Sequence, residues 1–456
     1  MARLPFPADW GDLDVGADGH LLIEGRDAVD LARRYGTPLY VFQESTFRRR
    51  CRAFRAAWAP FRGEVAYAAK AFLSVGLVHI LQQEGLALDV VSSGELRTAL
   101  AGGFDAARIY FHGNNKSDRE LALALETGVG HVVVDNAWEL DRLAALARQK
   151  GRRATILLRV APGIEAHTHS YVRTGQQDSK FGFDLASGQA LEAALQAASD
   201  PWLELEGFHA HIGSQILEIQ PYLEETDLLL DLALELQRRS GFRIRRLDVG
   251  GGFGVAYLPG QGAPPVPETL ARIGAHAVEG AARRGLGRIA LTCEPGRSLA
   301  APSMVALYRV GSIKRVPGLP AYVAVDGGMG DNPRPALYGA GYAVVAAGAA
   351  DREGGERVRV VGKYCESGDF LVQEARLPGL EPGDVLALPA SGAYQVSMAS
   401  NYNRFPRPGV LALGPDGHAD WLLRPETEEE LWARDAVPGW IEGRVTDDGD
   451  RAATAS

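Results

Sequence analysis

Between about residue 40 and residue 300, short apolar runs alternate with longer stretches whose apolar residues recur at helical spacing. The apolar runs predict strands over Glu64–Ala68, Leu86–Val91, Arg108–Phe111, His131–Val134, Ala154–Val160, Leu205–His211, Ile244–Val249 and Arg288–Thr292. The stretches between them predict helices such as Asp118–Glu126, Ala137–Lys150, Pro221–Ser240 and Glu268–Arg284. About eight βα units over roughly 260 residues match the count and length of a (β/α)8 barrel. A doubly wound sheet uses the same alternation, but the Rossmann glycine spacing is missing. The predicted fold class is therefore α/β, with a TIM-type barrel at its centre.

From about Ala301 the helical period fades. Apolar β-like runs appear at Met304–Val310, Ala321–Val325, Arg357–Val361 and Val385–Leu388, separated by Pro317-Gly318, Pro378-Gly379 and Pro382-Gly383. This predicts a C-terminal all-β domain. The first 40 residues carry strand candidates of their own, Leu21–Ile23 and Leu39–Phe42, and are expected to pack on that domain. The expected organisation is an N-terminal segment (1–40), a barrel (41–300), a β domain (301–446) and a frayed polar tail (447–456).

Composition narrows the class. The chain has 456 residues, 46% hydrophobic and 23% charged, which is the make-up of a soluble globular protein. A net charge of −9 argues against a nucleic-acid partner or an anionic membrane surface. A few local arginines can still bind a small anion. Cys51, Cys293 and Cys365 are few and far apart, so neither a disulfide framework nor a metal site is implied. No run approaches a membrane span, and the N-terminus has no long apolar signal-like core. The cytoplasm is the expected compartment.

In such barrels chemistry sits at the C-terminal ends of strands. Those ends carry Lys70, Asp89, His112 with Asn114, Asp135, Arg159, His211, Gly250-Gly251-Gly252 and Glu294. Lys70 follows Glu64-Val65-Ala66-Tyr67-Ala68. Partial desolvation at a barrel mouth would favour its neutral, nucleophilic amine, which forms a Schiff base with an aldehyde such as pyridoxal 5'-phosphate (PLP). A solvated strand end reads the same way. The glycine run follows the seventh strand and is either a phosphate cradle or a plain tight turn. His209 and His211 are two apart, so they share one side if the strand continues through them. They lack an obvious third metal ligand, and His211 is either a core imidazole or a ring stacked on an aromatic cofactor, with Ser214 beside it. Glu294 can accept from a pyridine nitrogen, and Arg297 can fork onto a carboxylate, unless the two simply pair. Cys365 beside Glu366 is either inert or a proton donor. Arg334, Tyr338 and Tyr394 are further anion and phosphate partners.

Taken together, these segments resemble the diaminopimelate decarboxylase family, the fold-type III PLP enzymes with an alanine-racemase-like barrel. The resemblance runs from about residue 35 to 410. It rests on Tyr67-Ala68-Ala69-Lys70-Ala71, Leu88-Asp89-Val90-Val91-Ser92-Ser93-Gly94-Glu95, Phe111-His112-Gly113-Asn114-Asn115-Lys116, Thr174-Gly175, Ser179-Lys180-Phe181-Gly182 and His211-Ile212-Gly213-Ser214-Gln215. It continues through Gly250-Gly251-Gly252, Glu294-Pro295-Gly296-Arg297, Arg334-Pro335-Ala336-Leu337-Tyr338, Cys365-Glu366-Ser367-Gly368-Asp369 and Asn401-Tyr402-Asn403. Phe72 stands where many relatives have Asn, and Ala161-Pro162 replaces a frequent Asn-Pro.

The resemblance implies PLP as cofactor, with Lys70 as its Schiff-base lysine. His211 would stack on the ring and Glu294 would pair with its nitrogen. Ser214, Gly250, Gly251, Gly252, Gly296 and Tyr394 would hold the phosphate. Asp89, Arg159 and Arg297 join the cofactor-binding set. Arg297, Arg334, Tyr338, Glu366 and Tyr394 would bind the substrate. Cys365 and Glu366 would come from a second subunit, making a homodimer with shared active sites. The implied reaction is decarboxylation of meso-2,6-diaminopimelate to L-lysine, the last step of lysine biosynthesis. Other readings on this fold are decarboxylases of ornithine, arginine, carboxynorspermidine or a D-amino acid. A non-catalytic PLP-binding regulatory relative is a different class, disfavoured because Lys70 and Cys365 are both present.

Overall fold

Eight parallel strands close on themselves in a computed structural model that describes residues 6–164, 179–263 and 265–441. Thr174-Gly175 and the tail 447–456 lie outside the described residues. The barrel strands are β1 (Glu64–Ala68), β2 (Ala87–Val90), β3 (Ile109–Phe111), β4 (His131–Val134), β5 (Ala154–Ala161), β6 (Leu203–Ala210), β7 (Arg246–Asp248) and β8 (Ala290–Cys293). Each pairs in parallel with its sequence neighbour, and β8 pairs with β1 to complete the ring (Thr292 opposite Glu64). The strands fall within a few residues of their predicted spans. Strand β6 ends at Ala210, so His211 stands on the loop rather than beside His209 on a strand.

The outer helices form where the sequence supplies both period and ends. Asp118–Thr127 opens with a capping box between Ser117 and Glu120 and stops at Gly128, whose φ of 75° suits glycine. Val266–Arg283 buries Leu270, Ile273 and Ala277 on one stripe. Inside the barrel, Ala66 and Ala87 leave room for the Tyr110 ring. Its hydroxyl donates to Glu64 Oε2 at 2.6 Å, which satisfies a buried polar tip.

The second domain is built on a long strand, Met304–Lys314. It pairs antiparallel with Ala321–Val325, Val385–Leu388 and Leu39–Gln43. Leu39–Gln43 also pairs in parallel with Gly409–Leu413, so the N-terminal segment supplies an internal strand of the β sheet. The strand runs straight through residue 40, the edge expected between segment and barrel. Leu21, Ile23 and Leu31 pack with Val305, Leu307, Val385 and Leu411 in a separate apolar cluster. Phe370–Leu377 is a strand the apolar pattern did not reveal. It lies at the sheet edge, and its polar Gln373, Glu374 and Arg376 break the expected run.

Candidate active site

The C-terminal ends of the strands converge on a cavity of about 190 Å3 between the barrel and the β domain. Its lining includes Lys70, His211, Ser214, Gly252, Glu294, Gly296, Arg297, Arg334, Tyr338 and Tyr394. A second cavity, at the opposite end of the barrel, is lined mostly by apolar side chains such as Phe61, Leu230 and Ile289.

Lys70 sits in a short turn, Ala69–Ala71, directly after β1. Tyr67 Oη donates to Phe72 O at 2.8 Å, and Tyr394 N donates to Ala71 O at 2.9 Å. The turn is thus pinned from the barrel side and from the β domain. The desolvation expected for Lys70 is not supplied by this chain, because the side chain is exposed at the mouth.

At the cavity floor Glu294 is buried and held at both oxygens. His112 Nε2 lies 2.6 Å from Oε1, and His209 Nε2 lies 3.0 Å from Oε2. Burial by itself would raise this carboxyl, but the two imidazoles outweigh it and hold it well below the usual carboxylate range. His209 has no partner at buried Nδ1. That fits a neutral ring protonated at Nε2, since an unpaired buried N–H would cost more than a bare nitrogen. Burial also keeps the His209 imidazole below its ordinary value.

The other acids behave oppositely. Asp248 is raised well above the normal range, first by burial and then by the Glu294 charge. Burial pushes Asp89 up to about 6 against the pull of His112. Asp89 and Arg159 are buried and do not line the cavity. Asp89 lies 3.7 Å from His112 Nε2, and Arg159 lies over the Phe181 ring, 4.2 Å from its centre.

The glycine run is required by close packing of three strand ends. A Cβ on Gly250 would meet Ala210 O at 2.3 Å, on Gly251 Glu294 O at 2.1 Å, and on Gly252 Gly213 O at 2.5 Å. Gly250 N donates to Asp248 Oδ1, and Gly251 N donates to His211 Nδ1 at 3.1 Å. Of the three, only Gly252 lines the cavity. Burial first, then the positive charges of Lys70 and Arg159, keep His211 neutral.

Arg297 and Arg334 meet from different domains. Arg297 donates Nε and Nη2 to Ser214 Oγ, at 3.2 and 2.8 Å, and Nη1 to Tyr257 Oη at 2.7 Å. Arg334 Nη1 donates to the same Tyr257 oxygen at 3.2 Å and also to Tyr342 Oη. Only 5% and 6% of these arginines are exposed, and neither has a carboxylate partner among the described residues. Two buried cations that face hydroxyls and phenols are suited to holding an anion.

Cys365 and Glu366 do not join this set. Both are exposed on a loop and are not among the residues that line the cavity. The loop is nonetheless well fixed. Asp369 accepts from Met329 N and Tyr364 N, and Cys365 N donates to Asn403 Oδ1 at 2.9 Å.

Tyr257, Tyr342 and the pairing of His112 and His209 with Glu294 were not legible as site features. His112 was marked by its strand-end position and by the motif Phe111-His112-Gly113-Asn114-Asn115-Lys116, whereas Tyr257 was not marked, and nearness to the glycine run is the strongest signal the sequence offers for it.

The residues present fit PLP. A cavity at the strand ends joins an amine, a neutral imidazole, a buried carboxylate and a glycine-and-serine cradle, and its floor tolerates no added Cβ at Gly252. The fold and site define a PLP-dependent enzyme of the barrel type. The model of the pyridoxal binding domain of pyridoxal-dependent decarboxylases matches residues 44–301. The diaminopimelate decarboxylase of Bacillus subtilis (strain 168) is 45% identical over 415 residues, covering 91% of this chain and 94% of its own. That of Mycobacterium tuberculosis (strain ATCC 25618 / H37Rv) is 42% identical over 422 residues, covering 91% and 94%. The crystal structure of diaminopimelate decarboxylase from M. jannaschii in co-complex with L-lysine superposes with a TM-score of 0.87 at 32% identity, covering 94% and 99%. The chain belongs to the diaminopimelate decarboxylase family of pyridoxal-dependent decarboxylases. Among the described residues no helix is long and apolar enough to cross a membrane.

Proposed function

We propose that the protein decarboxylates meso-2,6-diaminopimelate to L-lysine and CO2, the last step of lysine biosynthesis, in the cytoplasm. The observation that carries the substrate assignment is the pair of buried arginines without carboxylate partners among the described residues, in the same cavity as Lys70. A substrate with one carboxylate to lose and a second to anchor suits that pair. Ornithine and lysine, decarboxylated at their only carboxylate, offer nothing for it.

Lys70 would hold the cofactor through its aldehyde carbon. His211 would pack on the ring face, and Glu294 would keep a proton on the ring nitrogen. Ser214, Gly252, Gly296 and Tyr394 would surround the phosphate, with Gly250 and Gly251 shaping the loop. Asp89 and Arg159 would set the charge around Glu294. When bound, PLP supplies an electron sink for the pair left by departing CO2. Arg297, Arg334 and Tyr338 would hold the distal carboxylate and so fix the substrate's orientation in the cavity it shares with Lys70. A proton then returns to the carbon that lost CO2.

The donor in this reading is the thiol of Cys365 of the partner subunit, beside Glu366 of the partner subunit. It is supported by the fixed loop that displays both residues on the surface, outside the lining of their own chain's cavity. The active form is then a homodimer. The test is CO2 release from meso-diaminopimelate compared with lysine, ornithine and arginine. Activity on a monocarboxylic substrate equal to that on meso-diaminopimelate would overturn the assignment.

A further inference from the structure

The two arginines are joined by one atom. Tyr257 Oη accepts from Arg297 Nη1 at 2.7 Å and from Arg334 Nη1 at 3.2 Å. Both guanidinium groups also lie over the Tyr257 ring, 5.8 and 5.2 Å from its centre. Arg297 follows β8 of the barrel, and Arg334 starts a short helix of the β domain, Arg334–Tyr338. Two cations from separate domains would repel at this range in a buried site. The phenol oxygen, with its partial negative charge, is what stands between them. Burial acts to raise the Tyr257 phenol, yet the two guanidinium groups outweigh it and lower it.

The remaining contacts divide the work of the arginines. Arg297 is committed to Ser214 on its other edge. Arg334 spends only Nη1, on Tyr257 and Tyr342, so among the described residues its Nε and Nη2 have no protein acceptor. That edge is the fork that a carboxylate takes in bidentate fashion. Its direction depends on where Nη1 is anchored. The Tyr257 loop is itself held. Tyr257 N donates to Gln261 Oε1 at 2.9 Å, and the Trp10 indole donates to the neighbouring Ala256 O, also at 2.9 Å.

We propose that Tyr257 is a specificity-determining positioning residue, whose hydroxyl bridges Arg297 and Arg334 and aims the free edge of Arg334 at the distal carboxylate of a dicarboxylic amino acid. This rests on the substrate class proposed above and adds the residue that enforces it. Tyr257 acts through the arginines and takes no part in bond breaking. Its loss therefore weakens recognition of the second carboxylate and leaves the chemical step alone.

The test is Tyr257→Phe in the PLP-loaded enzyme, which keeps the ring and removes one oxygen. KM for meso-diaminopimelate should rise roughly 10- to 100-fold while kcat stays within about threefold. L-Lysine keeps the distal carboxylate of the substrate, and cadaverine has none. The Kd of L-lysine, by calorimetry, should weaken in step with KM, and that of cadaverine should not move. An unchanged thermal midpoint confirms folding. If Tyr257→Phe lowers the midpoint, the lysine and cadaverine Kd values measured well below that midpoint still separate loss of the carboxylate contact from loss of folding. A fall in kcat at constant KM, or equal losses for lysine and cadaverine, would overturn the proposal. If the wild-type enzyme does not turn over meso-diaminopimelate, the substrate reading has failed. The lysine-against-cadaverine comparison then still decides the role of Tyr257.

Discussion

Replacing Arg334 with alanine probes the substrate assignment directly. The side chain is 6% exposed, so its charge acts in a largely desolvated setting. Its Nη1 is anchored on Tyr257 and Tyr342, which leaves Nε and Nη2 for a two-point contact with a carboxylate. Truncating one partner of a buried, hydrogen-bonded charge pair costs about 2–5 kcal/mol, much of it from the charge left unpaired. At about 1.4 kcal/mol per factor of ten, kcat/KM for meso-diaminopimelate should fall roughly 30- to 4000-fold. Arg334→Lys keeps the charge but not the planar fork, so it should fall between wild type and alanine. Initial rates of CO2 release at several substrate concentrations give kcat and KM separately. A substrate without a second carboxylate, such as L-ornithine, should be no worse for Arg334→Ala than for wild type. If kcat/KM for meso-diaminopimelate stays within about threefold, Arg334 does not bind substrate and the pocket has been misread.

Three further outcomes are expected. Borohydride reduction of the PLP-loaded protein, followed by peptide mapping, should fix the cofactor on Lys70; a label elsewhere with Lys70 unmodified refutes that role. Lys70→Ala and Cys365→Ala homodimers should each be nearly inactive, but random re-pairing should make about half the dimers mixed, each with one intact site, and restore about a quarter of wild-type activity. No recovery despite demonstrated subunit exchange would mean that Cys365 serves its own chain or nothing. Asp331 of the β domain is pushed up to about 7, chiefly by burial, while Tyr308 and Gly328 N donate to it. Its folded value lies above the unfolded value of about 3.9, so its contribution to stability is full below pH 4 and is lost as pH rises through about 7. Urea unfolding between pH 4 and 7 should show this slope, at most about 1.4 kcal/mol per pH unit, and Asp331→Asn should remove it. An unchanged slope would place the proton elsewhere.

The barrel was legible in the chain because strand and helix periods are local properties. Each apolar run and each amphipathic stretch declares itself within a dozen residues, and strand ends mark where chemistry can gather. Lys70, His211 and Glu294 could be picked out by that rule, and the motifs around them carry the family. What the sequence could not show is what these groups touch. His112 and Glu294 are 182 residues apart, and His209 and Glu294 are 85 apart. They meet only because the sheet closes and turns β3, β6 and β8 toward a common centre. Tyr257 looks like an ordinary loop tyrosine until Arg297 of the barrel and Arg334 of the β domain arrive on either side of it. The placement of Leu39–Gln43 within the distant β sheet is likewise a matter of pairing across the chain. Burial decides the charge states as well. Glu294 stays ionised because two imidazoles outweigh its burial, and Asp248 is raised by burial first and then by the Glu294 charge. Residue type and spacing determine which groups are available. Their protonation and partners depend on distance and desolvation, and those quantities exist only once the chain has folded.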